Sequence, residues 1–180
     1  MLSTTALVER IITVGTVTGR YTLPNGRTLT SYFDQYLVAA DPDLLSQTGQ
    51  ALAALLPPDV DVVAGLELSG VPFALAVSAA TGLPAALVRK TVKPYGTCLQ
   101  VEGQPASGAR VAMVDDVIHS GRQILITAAA LRQAGTLPTT AVAIFIRPAE
   151  AKPLLADHGI TVNGIVDETI TKPSPSSSGS

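Results

Sequence analysis

The chain has 180 residues, 47% hydrophobic and 14% charged, with a net charge of −2. This composition suits an α/β protein with a sizeable core, and 12 Lys plus Arg leave no basic face for nucleic acid. The single cysteine, Cys98, excludes an internal disulfide and a cysteine-rich metal site, and no apolar run reaches membrane-spanning length.

The N-terminus, MLSTTALVER, has no basic segment followed by an apolar stretch, so no secretory signal is expected and the expected compartment is the cytoplasm. Leu7, Ile11 and Val14 recur at helical spacing behind the candidate caps Ser3, Thr4 and Thr5, predicting a helix over 3–14. Residues 16–23 are β-rich, Asn25-Gly26 signals a hairpin turn, and Thr28 to Phe33 forms the returning strand. Tyr32 and Phe33 are suited either to a planar ligand or to packing. Asp41-Pro42 opens a helix with Leu44, Leu45, Thr48, Leu52 and Leu55 inward, stopped by Pro57-Pro58. Val60 to Leu66 is a short apolar strand, Glu67 to Gly70 a turn and Val71 to Ala80 a helix. Gly70 can bring backbone N–H groups to an oxyanion. With Leu68 and Ser69 on that turn, any such contact comes from backbone and the Ser69 hydroxyl, and Glu67 reads equally as a solvated turn acid. Thr81-Gly82 closes the helix and Leu83 to Val88 is the next strand. Arg89, Lys90 and Lys93 follow at once, on a Gly-, Pro- and polar-rich stretch to Gly108 without a period. That is a long irregular loop of the kind that serves as a lid. Its three cations read either as solvated surface or as a polyanion site.

The stretch from Arg110 to Gln123, RVAMVDDVIHSGRQ, carries the chemistry. Val111 to Val114 is a buried parallel strand ending in Asp115 and Asp116. Val117, Ile118, His119, Ser120 and Gly121 turn the chain into a helix whose inward residues are Ile124, Leu125, Ala128 and Leu131. Ser120 with Gln123 makes a capping box. A helix start suits a phosphate, Gly121 permits close backbone approach, and paired carboxylates can accept from a sugar diol or hold hydrated Mg²⁺. Together these describe a ribose 5-phosphate site. The same residue types also fit a strand-end turn with solvated acids and an ordinary cap. Gly135 ends the helix, Thr139 to Ile146 is a buried strand, and Arg147-Pro148 follows it, where Arg147 suits a planar anion or a solvated surface. Glu150 to His158 is a helix, Ile160 to Val166 the last strand, and residues 171–180 a disordered tail. Strands alternating with helices give a parallel-sheet α/β domain.

Val111 to Gly121 resembles the phosphoribosyl pyrophosphate (PRPP) signature of type I phosphoribosyltransferases. Arg89-Lys90-Thr91-Val92-Lys93-Pro94-Tyr95-Gly96 with Glu102-Gly103 resembles the mobile loop of orotate phosphoribosyltransferases. Ala64 to Pro72 resembles that family's pyrophosphate-side loop, and Tyr32-Phe33-Asp34 with Asp41-Pro42 its N-terminal region. The order and spacing of the four stretches, over residues 5–168, point to orotate phosphoribosyltransferase. The resemblance implies a type I phosphoribosyltransferase-like parallel sheet flanked by helices, within a single domain over 1–170 whose residues 1–40 form a small hood. It implies Mg²⁺-dependent transfer of ribose 5-phosphate from PRPP to orotate, in pyrimidine biosynthesis. Carried over residue by residue, it implies catalytic roles for Lys93, Asp115 and Asp116. PRPP would meet Arg89, Lys90, Lys93, Tyr95, Leu68, Ser69, Asp115, Asp116, Val117, Ile118, His119, Ser120, Gly121, Arg122 and Gln123. Orotate would meet His119, Arg147, Tyr32 and Phe33. Mg²⁺ would be held mainly through PRPP, reaching Asp115 and Asp116 through water. The family also implies a homodimer sharing the 89–103 loop across its interface, with no nucleic-acid or membrane partner. Three positions depart from the family pattern: Pro24 where a lysine is common, Tyr95 where histidine is common, and His119 where threonine is common. They leave room for a different planar base, or for a PRPP-sensing regulator without turnover.

Overall fold

The computed structural model describes residues 2–22, 26, 28–147 and 151–168. The expected turn residues Leu23, Pro24 and Asn25, together with Pro148, Glu150 and the tail from Thr171, lie outside them. Helix α1 (Thr4–Gly15) starts where the Ser3 hydroxyl accepts from the Ala6 N–H, and it buries Leu7 and Ile11. Strands β1 (Thr16–Thr22) and β2 (Thr28–Phe33) pair antiparallel as the expected hairpin, with Gly26 at φ 80°. A short helix that the sequence did not announce, α2 (Gln35–Ala40), follows, capped by the Asp34 carboxylate accepting from the Tyr36 N–H at 2.9 Å.

Asp41 caps the next helix, α3 (Pro42–Ala53), by accepting from the Asp43 and Leu44 N–H groups. Arg10 reaches from α1 to both Asp41 and Asp43, at 2.8 and 2.6 Å. The helix stops at Ala53 rather than at Pro57. The Leu55 and Leu56 N–H groups already turn back to Leu52 and Ala53, so Leu55 packs from a turn.

The remaining elements build a mostly parallel sheet. They are β3 (Val62–Leu66), α4 (Gly70–Thr81), β4 (Ala85–Val88), β5 (Val101–Glu102), β6 (Arg110–Ile118), α5 (Arg122–Gln133), β7 (Leu137–Ile146), α6 (Ala151–Ala156) and β8 (Thr161–Asp167). The order is β5-β4-β3-β6-β7-β8, with only the β4–β5 pair antiparallel. Successive strand residues point to opposite faces, yet nearly all are apolar because helices cover both sides. Val62, Ala64, Val111 and Met113 pack with Ile124, Leu131 and Leu155 on one side. Val63, Ala112, Val114 and Ile144 pack with Leu7, Ile11, Leu44, Leu52 and Phe73 on the other.

Two expectations about the strands need correction. The stretch after Arg89 is not irregular throughout: Val101 and Glu102 return to pair with Val88 and Leu87, adding an edge strand. The central strand β6 does not end at Val114. It runs through both aspartates to Ile118, because the longer β7 continues to pair with it as far as Ile118↔Ile146. The β6–β7 register also slips once near its start, where Val111 faces Pro138 but Ala112 faces Thr140, leaving Thr139 as an extra residue. Pro138 has no N–H to give a ladder, and bulges commonly accompany such positions.

Candidate active site

The C-terminal ends of β3, β6 and β7, roofed by β2 and α2, enclose a cleft of about 930 Å³. At its floor lie the two aspartates. Asp115 is 6% exposed, beneath the β3–α4 turn. That turn needs Gly70, since a Cβ there would stand 2.5 Å from the Val114 carbonyl oxygen and 3.5 Å from Asp115 Oδ1. The Asp116 N–H donates to Asp115 Oδ1 at 3.0 Å. Burial pushes the Asp115 carboxyl well above the usual carboxylate range, and the neighbouring Asp116 carboxyl pushes it the same way. The Asp116 N–H and the Ser69 hydroxyl act in the opposite direction. The pair therefore resists carrying two charges and is suited to ligand groups that donate hydrogen bonds.

Beyond the pair, His119 and Ser120 are exposed and Gly121 stands at φ 75° as the residue before α5. The Ser120–Gln123 capping box is not formed, and no side chain caps this helix. Gly121 is left-handed, and no described side chain takes up the first-turn amides beside the cleft. A helix of 12 residues that starts without a cap presents its positive end there. Ser120, Gly121 and Gln123 line the cleft, as do Val117 and Ile118. Arg122 is exposed and does not line it.

The loop after β4 divides its cations. Lys90 lines the cleft, whereas Arg89, Lys93 and Tyr95 do not. Arg89 Nε pairs with Glu102 Oε1 at 3.0 Å across the β4–β5 hairpin, and its backbone N–H donates to the Gln100 carbonyl. Lys93 Nζ sits 5.1 Å from the centre of the Tyr95 ring, a cation–π contact on a side chain that is itself 70% exposed. At its root the loop is thus tied to β4. Leu68 and Ser69, past the end of the neighbouring strand β3, also line the cleft, with Leu68 62% exposed.

The third wall is aromatic and charged. Phe33 meets Phe145 edge-on at 5.1 Å, and Tyr32 leans on Tyr21. The Arg147 guanidinium lies 5.7 Å from the Phe145 ring centre. Strand register explains what surrounds it. Ile118 faces Ile146 and Ile146 faces Asp167, so His119, Arg147 and Glu168 stand side by side just past the ends of three adjacent parallel strands. Partial burial lowers the His119 pKa first, and the Arg147 charge lowers it further, against Asp116 and Glu168. Its ring is therefore biased toward neutral.

Sequence reasoning missed Ser31, Gln35, Tyr36 and Glu168 as cleft-lining residues, and it left Glu67, which also lines the cleft, open. The alternation Leu29, Ser31, Phe33 along β2 would have found Ser31. Gln35 and Tyr36 sit on the unannounced α2. Among the described residues, no group of three or more His, Cys, Asp or Glu could hold a metal ion, and no helix is long and apolar enough to cross a membrane.

No family model matches this sequence. Individual relatives do. An orotate phosphoribosyltransferase of Nocardioides sp. is 41% identical over 160 residues, 89% of each chain. One of Methanocella arvoryzae is 34% identical over 163 residues, covering 90% of this chain and 93% of its own. Among solved structures, the crystal structure of orotate phosphoribosyltransferase from Aeropyrum pernix superposes with a TM-score of 0.77 at 28% identity, covering 89% of this chain and 93% of that one.

Proposed function

Because the chain belongs to the orotate phosphoribosyltransferase family, we infer that this cleft transfers the ribose 5-phosphate of PRPP to N1 of orotate, giving orotidine 5′-monophosphate and pyrophosphate. The observation that carries the reading is an acidic pair, with Asp115 buried, beside an uncapped helix start and with an aromatic wall ending in arginine on the same cleft.

Each part has a role. The open first turn of α5 takes the 5-phosphate, with Ser120 and the Gly121 turn around it. Asp115 and Asp116 accept hydrogen bonds from the ribose hydroxyls. As the C1–O bond breaks, its electron pair leaves with pyrophosphate and C1 becomes cationic, a charge that the carboxyl oxygens of Asp115 and Asp116 face and stabilise. N1 of orotate, having given its proton to solvent, forms the new bond to C1. Phe33 and Tyr32 face the planar ring, and the Arg147 guanidinium suits its carboxylate. Neutral His119 offers a donor or acceptor at the ring edge. Pyrophosphate is held by Ser69 and the backbone of the 67–70 turn, with Lys90 from the neighbouring strand end.

The PRPP-bound state we propose differs at the loop. Lys93 leaves the Tyr95 ring and Arg89 leaves Glu102, so that both reach pyrophosphate. We propose that they do so in a partner's cleft within a homodimer. Supporting this, the outer face of α4 and the loop expose Leu75, Val92 and Tyr95. We further propose a cytoplasmic enzyme with residues 1–40 as a hood on a single catalytic domain. Mg²⁺ fits the donor set only indirectly: two adjacent carboxylates can hold a hydrated ion, whereas direct ligation lacks a third protein group among the described residues. Bound with PRPP, it would neutralise pyrophosphate oxygens.

The test is pyrophosphate release from PRPP and Mg²⁺ with a panel of planar bases. Release with orotate alone is the expected result. Release with another base, or none despite PRPP binding, would overturn the assignment.

A further inference from the structure

We propose that Glu168 is the internal counter-ion of Arg147, displaced by the carboxylate of the acceptor base, and thereby a residue that sets selection for anionic over neutral bases. This rests on the reading of Arg147 given above. The backbone places the two side by side: Ile146 and Asp167 are partners in the β7–β8 ladder, so the next residue of each strand, Arg147 and Glu168, emerges at the same level of the cleft.

The contact is a loose one. Arg147 Nε lies 3.6 Å from Glu168 Oε1, close enough to neutralise charge but beyond hydrogen-bond length. Nε itself is buried and makes no hydrogen bond among the described residues. Both side chains remain partly in water, at 39% and 43% exposure, so the pair is weak. A substrate carboxylate offers the guanidinium two parallel hydrogen bonds, a better contact than this long one. It can therefore take the place of Glu168. A neutral ring lacks the charge to do so and meets an arginine already compensated. The selectivity has a cost: after exchange, a second carboxylate remains close by and weakens orotate binding. His119 and Asp116 also face this group across the row; removing the Glu168 charge takes away one influence that raises the His119 pKa, so the ring is held more firmly neutral.

Glu168→Gln keeps the shape and removes the charge. Its KM for orotate is expected to fall roughly two- to fivefold, the range typical of partly exposed ion pairs, with kcat and the KM for PRPP unchanged. Uracil, the same ring without the carboxylate, reports the second half of the idea: its inhibition constant against orotate stays put. An orotate KM that is unchanged or higher, or an equal tightening of uracil, overturns the proposal. Arg147→Ala serves as the control. If it raises the orotate KM while Glu168→Gln does nothing, only the counter-ion role fails. If Arg147→Ala itself leaves the orotate KM untouched, the carboxylate assignment beneath it fails.

Discussion

Replacing Asp115 with asparagine is expected to raise stability and remove activity together. The carboxyl is 6% exposed, and burial with a neighbouring acid holds it well above the usual range. The sign follows from linkage. Below about pH 3.9 the group is neutral both folded and unfolded. As pH rises, it ionises first in the unfolded chain, so the native state loses stability until the folded carboxyl also titrates, and the penalty then stays constant. Each tenfold change in the ionisation constant is worth ~1.4 kcal/mol. In a chain of this size about 1 kcal/mol moves the Tm by roughly 2–4 °C. An asparagine in this place would keep the existing contact, its Oδ1 accepting from the Asp116 N–H, while its Nδ2 can donate to the Asp116 carboxylate. Ligand-free Asp115→Asn is therefore expected to melt several degrees above the parent at pH 7.5, with the gap closing near pH 4. Turnover measured by pyrophosphate release falls by orders of magnitude. Scanning calorimetry across pH 4–8 tests the first part. An equal or lower Tm at pH 7.5 in a folded variant would refute the account of Asp115 as a strained, ligand-directed acid.

Other outcomes follow from the same geometry. Arg147→Ala is expected to raise the orotate KM by about 30-fold or more, the effect of ~2 kcal/mol or more from unpairing a bound carboxylate, with little change for PRPP; steady-state kinetics on both substrates reads this. Ser120→Ala leaves thermal stability unaltered because no capping bond is lost, whereas Gly121→Ala lowers it. A Cβ at Gly121 meets Leu155 at 3.1 Å on a φ of 75°, and paired melts show the contrast. Mixing Lys93→Ala subunits with Asp115→Asn, Asp116→Asn subunits, each inactive alone, restores activity if the loop serves a partner's cleft. A mixture that stays inactive, or a monomer by light scattering, counts against sharing.

What could be read from the sequence was what depends on near neighbours. Apolar runs bounded by Gly and Pro located β3, β6 and β7, and Asp41-Pro42 located α3. The acidic pair and the Gly121 turn announced a ligand site because both sit in one short span. What escaped reading depends on distant partners. Glu102 is 13 residues from Arg89, and only the antiparallel return of β5 joins them. Helix α2 has six residues, too few to show a period, and relies on the Asp34 cap. The capping box failed because a left-handed Gly121 outweighs the preference of Ser120. Glu168 is remote in sequence from His119, and their alignment exists only through β7.

That alignment hangs on a detail at the other end of the strand. Thr139, the extra residue after Pro138, absorbs one position of chain length where β7 begins. Side chains alternate between sheet faces, so a slip of one residue turns each to the opposite face. Upstream of Thr139, insertions and deletions of single residues have a place to be taken up without reaching the cleft. Between Thr140 and Ile146 no such slack exists. There, a change of one residue would move Arg147 a full place along the sheet and aim its guanidinium away from the base. The strand is thus permissive at its base and exacting at its tip.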